Sequence, residues 1–428
     1  MGRGAAAAGA LLVVLASVVA CGLLFPTVLE EATGEARPDG SMGDGAPSTD
    51  GPVGGDGGSV GVDGADARSS DGAPCEASTT GPHNCGRCGH DCLGGSCDGG
   101  GCQPVVLVGN QSSPQFVAVG TNTVYWTNFG DSTRTPLWGD GALRRIAKDG
   151  TGASDLVSPA PSAYQLVSDG QLLYFDLFYS GYVQSVDPAS GQALPTKLWG
   201  RSRPFPTGLA LSTDGGALYW LGTVDDGGVS VYVATLPTGP PSKLTFDTDD
   251  QFGLGLAVDS TQVYFTAGMQ NRYSGAQNVK RIGVAGCADG GACGVTVYSD
   301  FNLNALAVDG SYLYVADAYA GAIVRVPKAA DGGAPVMMAT GLNNPSFLLL
   351  QGGWLYWVES VGLSDGGPGG AIGRIRPDGT QSGRLVVHQS FPLGLAVDGT
   401  VLYWANQGTV TSTGRFDNHD GQIVRLVL

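Results

Sequence analysis

The stretch Leu393-Gly-Leu-Ala-Val-Asp-Gly-Thr-Val-Leu-Tyr-Trp-Ala-Asn406 decides how most of this chain folds. Leu395 to Val397 is a short apolar run, Asp398-Gly399 is a turn pair, and Val401 to Trp404 is dense in β-branched and aromatic residues. That order reads as strand, tight turn, strand. The second run is apolar on consecutive residues rather than alternating, as expected of a sheet covered on both faces. Relatives of the stretch recur along the chain, among them Phe116 to Asn128, Leu166 to Asp176, Leu209 to Leu221, Leu256 to Thr266, Leu306 to Asp317 and Phe347 to Glu359. Their shared tyrosines are Tyr125, Tyr174, Tyr219, Tyr264, Tyr314, Tyr356 and Tyr403, spaced 42 to 50 residues apart.

A variable loop follows each second strand. A third strand then carries a Gly-x-apolar-x-Arg pattern, as in Gly141 to Arg145, Gly321 to Arg325, Gly370 to Arg374 and Gly421 to Arg425. A fourth strand, such as Arg384 to His388, closes most units. Four strands per such period is the arithmetic of a propeller blade, so the expected fold is all-β, a seven-bladed β-propeller over residues 103–428; six or eight blades fit the period less well. The seventh unit stops at Leu428 after its third strand, and an orphan strand, Val105-Val-Leu-Val108, precedes the first. Pairing these two would close the ring and remove a sheet edge.

The Tyr-Trp-x-Asn/Asp pieces of these units resemble the YWTD propellers of lipoprotein-receptor type, and more loosely NHL repeats. That resemblance implies a binding propeller, although YWTD propellers usually have six blades. Other propellers similar to this one include calcium-dependent lactonases and lyases, which implies a possible Ca2+ in the central channel.

The chain's 428 residues carry a net charge of −16, and 71 of them are glycine. An acidic surface repels phosphates and argues against a nucleic-acid partner. Residues 1–20 have the layout of a secretory signal, with Arg3 before an alanine-rich run. The run ends Ser17-Val-Val-Ala-Cys21, which resembles a bacterial lipobox and implies lipid attachment at Cys21. An ordinary cleaved signal or an uncleaved apolar anchor remains the alternative. Residues 21–74 are rich in Gly, Asp, Ser and Pro, without apolar periodicity, and read as a flexible acidic tether.

Cys75, Cys85, Cys88, Cys92, Cys97 and Cys102 crowd a 75–102 module with almost no apolar residues. Six cysteines admit about 15 pairings, among which spacing cannot choose. Disulfides suit an exported chain, and Cys85-x-x-Cys88 with His90 and Cys92 leaves a zinc site as the alternative. Cys287 and Cys293 flank a Gly-rich loop that reads as pinned by another disulfide. Short modules of this CGxCGxxC pattern joined to a repeat domain are similar to those of myxobacterial secreted lipoproteins.

Loops before the first strands and between the second and third strands share one face of such a ring. They carry Trp138, Tyr179, Asn271, Tyr273, Tyr319, Phe416 and Asp417, the candidate ligand-binding residues for a carbohydrate, a peptide or a protein partner. The turn aspartates Asp259, Asp309 and Asp398 recur in register, which suits capping of turns rather than metal binding. No Ser–His–Asp order with a supporting motif is visible. The expected role is a non-catalytic extracytoplasmic binding protein, a monomer held to a membrane only by its lipid. The alternative is a metal-dependent hydrolase or lyase acting at the central channel.

Overall fold

The computed structural model describes residues 77–428, apart from 134–137, 190–195, 201–205, 224–227, 238, 248–252, 269–276, 289–290, 292, 330–331, 362–368, 412–414 and 417. The signal, the tether, Cys21 and Cys75 lie outside the described residues. Seven four-stranded antiparallel sheets form a seven-bladed propeller, with no α-helix among the described residues. Blade one runs Pro114–Val119, Thr123–Asn128, Ala142–Ala147 and Ser154–Val157, and the other blades repeat this meander. Blade seven takes three strands, Pro392–Asp398, Val401–Asn406 and Gly421–Val427, from the end of the chain. Its fourth is Val105–Gln111, antiparallel to Gly421–Val427, with Val105 opposite Arg425 and Gln111 opposite Gly421.

Each second strand is buried between neighbouring sheets. Trp126, Trp404, Tyr174, Phe175, Tyr264 and Tyr314 are among the largest fully buried side chains. The repeated polar residues explain how these aromatics are held. Asp169, Asp259 and Asp309 each accept two backbone amides of their own turn through Oδ1. The other oxygen accepts the hydroxyl of the signature tyrosine, at 2.8 Å for Tyr174 and 2.7 Å for Tyr314. Asp398 departs from this, pairing instead with Lys148 of blade one at 2.5 Å.

The signature tyrosine stands directly opposite the third-strand arginine, as Tyr125 does Arg145, Tyr264 Arg281, Tyr314 Arg325 and Tyr403 Arg425. Each of these arginines donates to a backbone carbonyl in the next blade: Arg145 to Pro188, Arg281 to Lys328, Arg325 to Pro377 and Arg425 to Lys148. Two seams add a return contact, because Lys328 reaches Asp259 at 2.6 Å just as Lys148 reaches Asp398. The guanidinium therefore bolts one sheet to the next at positions where a hydrophobic side chain would leave carbonyls unmet. Blades two and three carry Ser185 and Val233 at this register and lack the bolt.

First strands of successive blades contact one another around the ring and so line its axis. Six of the seven carry a β-bulge against their second strand. At the closing seam the bulge residue is Gly394 (φ +28°), where a Cβ would sit 2.5 Å from the Phe116 Cα, so only glycine lets the two backbones approach. Phe116 of blade one meets Phe347 of blade six, with ring centroids 5.6 Å apart, although blade seven separates those sheets in the ring.

The cysteine module holds two crossed disulfides, Cys85–Cys97 and Cys92–Cys102, and Cys88 is also disulfide-bonded. A third resolved bridge, Cys287–Cys293, closes the loop after the third strand of blade four. The zinc alternative of Cys85, Cys88, His90 and Cys92 is overturned, because all three of its cysteines are spent in disulfides; the sulfurs that gather within 4.8 Å, of Cys85, Cys92 and Cys102, are bonded in the same way. Such bonds persist in an oxidising, extracytoplasmic environment. The module sits under blade seven: Arg87 donates to the Leu428 carbonyl and Arg425 to that of Leu93.

Two expected outcomes follow from this architecture. A chain lacking residues 1–111 leaves blade seven with three strands, and its melting temperature should fall while association becomes concentration-dependent in sedimentation. Asp176 is fully buried, its Oδ1 accepts the Gln165 amide and its Oδ2 has no partner. Thr127 and Thr266 occupy the same register in blades one and four and accept, with a hydroxyl instead, the amide of Phe116 and those of Leu254 and Gly255 just before the first strand of blade four. Burial pushes the Asp176 carboxyl well above its ordinary value, so ionisation disfavours the folded state as pH rises. Asp176→Thr should therefore stabilise the protein by about 1–3 kcal/mol at neutral pH, with the gain shrinking in denaturation curves taken toward pH ~3, below the ordinary carboxylate pKa.

Candidate functional site

Strand Gly421–Val427 runs from the loop face of the ring toward the cysteine module, which places His419 and its neighbours on the face opposite that module. Three segments meet there across the closing seam: the Gln111–Pro114 turn, the described residues between the second and third strands of blade one, and those between the second and third strands of blade seven. Ser112 Oγ donates to Asp140 Oδ2 at 2.7 Å and lies 2.6 Å from His419 Nδ1. His419 Nε2 faces Asp131 Oδ2 at 2.9 Å. Asp140 Oδ1 accepts the Asp131 amide at 2.7 Å, so the two carboxylates are held by one loop. Burial pushes the Asp131 carboxyl up, yet the Thr133 hydroxyl and amide, with His419, outweigh it and hold the group below the ordinary range. Arg415 adds a cation, donating to Ser132 Oγ at 2.7 Å.

Aromatic rings border this polar cluster. Trp138 stacks on Tyr179 with centroids 4.1 Å apart and planes 10° from parallel. Phe129 stands edge-on to both, at 5.6 and 5.8 Å. Tyr164 joins Phe129 and Phe178 to Phe116, so a chain of ring contacts leads from the first strand of blade one out to Trp138. Burial raises the Tyr179 hydroxyl pKa, with Arg415 opposing the shift. The Trp138 amide donates to the Asp131 carbonyl at 3.0 Å, which fixes the aromatic wall to the acidic loop.

Of the residues singled out by sequence, Trp138 and Tyr179 are brought together. Phe416 is buried, edge-on to Phe391 at 4.8 Å, where it packs the blade-seven loop. Tyr319 belongs to blade five, 67% exposed and tilted against Phe301 at 5.0 Å. Below it, burial and the neighbouring Asp300 raise the Asp317 carboxyl to about 6, while the Ala320 amide and Tyr298 hydroxyl bind it. Asn271, Tyr273 and Asp417 lie outside the described residues. Sequence reasoning gave no site role to Ser112, Asp131, Asp140 or His419. Ser112 and His419 are 307 residues apart and meet only when the ring closes.

No protein-family profile and no curated protein matches this chain. Solved structures do. Hydrazine synthase of Kuenenia stuttgartiensis aligns with a TM-score of 0.54 at 13% identity, over 73% of this chain and 95% of that one. Oligogalacturonate lyase from Vibrio parahaemolyticus gives 0.52 at 8% identity, over 76% and 93%. A puromycin-hydrolyzing peptidase of Mycobacterium tuberculosis gives 0.51 at 15% identity, over 73% of this chain but only 50% of its own length. At such identities the likeness is one of fold alone.

Replacing Trp138 by alanine removes rings from both Phe129 and Tyr179 and should lower stability by about 1–2 kcal/mol. Tyr319→Ala, at an exposed site, should stay within about 0.5 kcal/mol in the same denaturant titration.

Proposed function

We propose that the chain is an extracytoplasmic binding protein that presents the loop face of its propeller to a carbohydrate or peptide. The observation that carries this reading is the Trp138–Tyr179 stack, a flat apolar wall beside Ser132, Arg415 and Asp131. Flat apolar area flanked by convergent polar groups suits a ligand with an apolar face and several hydroxyl or amide groups. In this reading Cys21 carries the lipid, residues 21–74 act as the tether, and the cysteine module orients the ring so that the wall points away from the membrane. The fold supports a scaffold for recognition.

Glycan and peptide arrays probed with the mature protein test this. Hits should weaken at least tenfold with Trp138→Ala and persist with Tyr319→Ala. Silence on both arrays, or hits indifferent to Trp138, would defeat the reading.

A further inference from the structure

We propose that Ser112 is the nucleophile of a metal-independent acyl-ester hydrolase site built across the closing seam, with His419 as its base and Asp131 as the group that positions the imidazole. This goes beyond the binding role, which stands or falls separately. The geometry meets the tests for an activated serine: nucleophile to base at 2.6 Å, and base to orienting carboxylate at 2.9 Å. Asp131, as a carboxylate, can only accept, so His419 carries a proton on Nε2. In the neutral ring, Nδ1 is then free to take the Ser112 proton.

Positive φ at Asn110 and Ser113 (56° and 53°) is shared by His388 and Phe391 (60° and 48°) in the equivalent turn before blade seven and so belongs to the fold, whereas His419 (52°) adopts it in the loop of the site itself. The Ser112 hydroxyl also reaches Asp140, which lies 3.8 Å from His419 Nδ1. One hydroxyl hydrogen serves either acceptor by rotation. Once the proton has moved to His419, Asp140 faces the resulting imidazolium with a favourable charge. Arg415 brings a guanidinium to the same seam for the developing oxyanion. Trp138 and Tyr179 offer the apolar wall against which the acyl or alcohol portion of the ester rests.

The reaction balances without a co-reactant other than water. Ser112 Oγ attacks the ester carbonyl carbon while its proton passes to His419 Nδ1. The tetrahedral intermediate collapses, the C–O bond to the alcohol breaks, and the departing alkoxide takes that proton. Water then attacks the acyl-serine, giving a proton to His419. Ser112 Oγ leaves with this proton, and the carboxylic acid is released.

A fluorophosphonate probe, which bonds to an activated serine oxygen and expels fluoride, tests the assignment on the native protein. Mass spectrometry of digested protein should place the label on Ser112, and p-nitrophenyl esters should be hydrolysed. Ser112→Ala should abolish both with an unchanged melting temperature, and His419→Gln should slow labelling by about 10²-fold or more. Asp131→Asn should lower kcat with KM retained, and Asp131→Glu should restore part of the loss, which a merely structural role would not do. An unlabelled Ser112 in the wild-type chain, or ester hydrolysis that survives Ser112→Ala, would overturn the proposal. Array binding without labelling would leave the binding role intact and remove the hydrolase.

Discussion

The antiparallel ladder between Val105–Gln111 and Gly421–Val427 is the constraint on which the other features rest. It joins the two ends of the β-rich region and turns six complete sheets and one incomplete sheet into a ring. Arg425 lies within this ladder and binds carbonyls on both sides of it, Lys148 in blade one and Leu93 in the cysteine module. The ladder also sets the position of Ser112, one residue past its end, against His419, two residues before the partner strand begins. Closure of the ring and assembly of the polar cluster are thus one event.

Much of the fold was legible because its devices repeat. A tyrosine that must hydrogen-bond a turn aspartate in several blades leaves a periodic trace, as Tyr174, Tyr264 and Tyr314 do with Asp169, Asp259 and Asp309. The capping role of Asp259 and Asp309 follows from the same repetition. The arginines were visible as a pattern, but their targets were not, since a backbone carbonyl such as that of Pro377 has no residue signature. Cysteine pairing was equally hidden, because spacing alone does not distinguish Cys85–Cys97 from its alternatives.

The candidate site was legible only in part. Loop aromatics stand out by composition, so Trp138 and Tyr179 could be found, while whether an aromatic faces solvent depends on its neighbours. Phe416 is covered by Phe391 and Tyr319 is not. Ser112 and Asp140 have register counterparts in Ser390 and Asp420 of blade seven, but their meeting with His419 and Asp131 occurs once and leaves no repeat signal. A unique constellation in a repetitive chain lies where periodicity gives no help, which is also where a function separate from architecture has room to arise.

The direction of Val105–Gln111 has a mechanical consequence. Its first residue is the point where the module joins the ring, and the strand climbs from there toward the loop face. A pull entering through the preceding residues, with the loop face held by a bound partner, runs parallel to the strand. Its ladder bonds are then loaded together in shear rather than peeled singly from one end, the arrangement in which a short β-strand resists tension best.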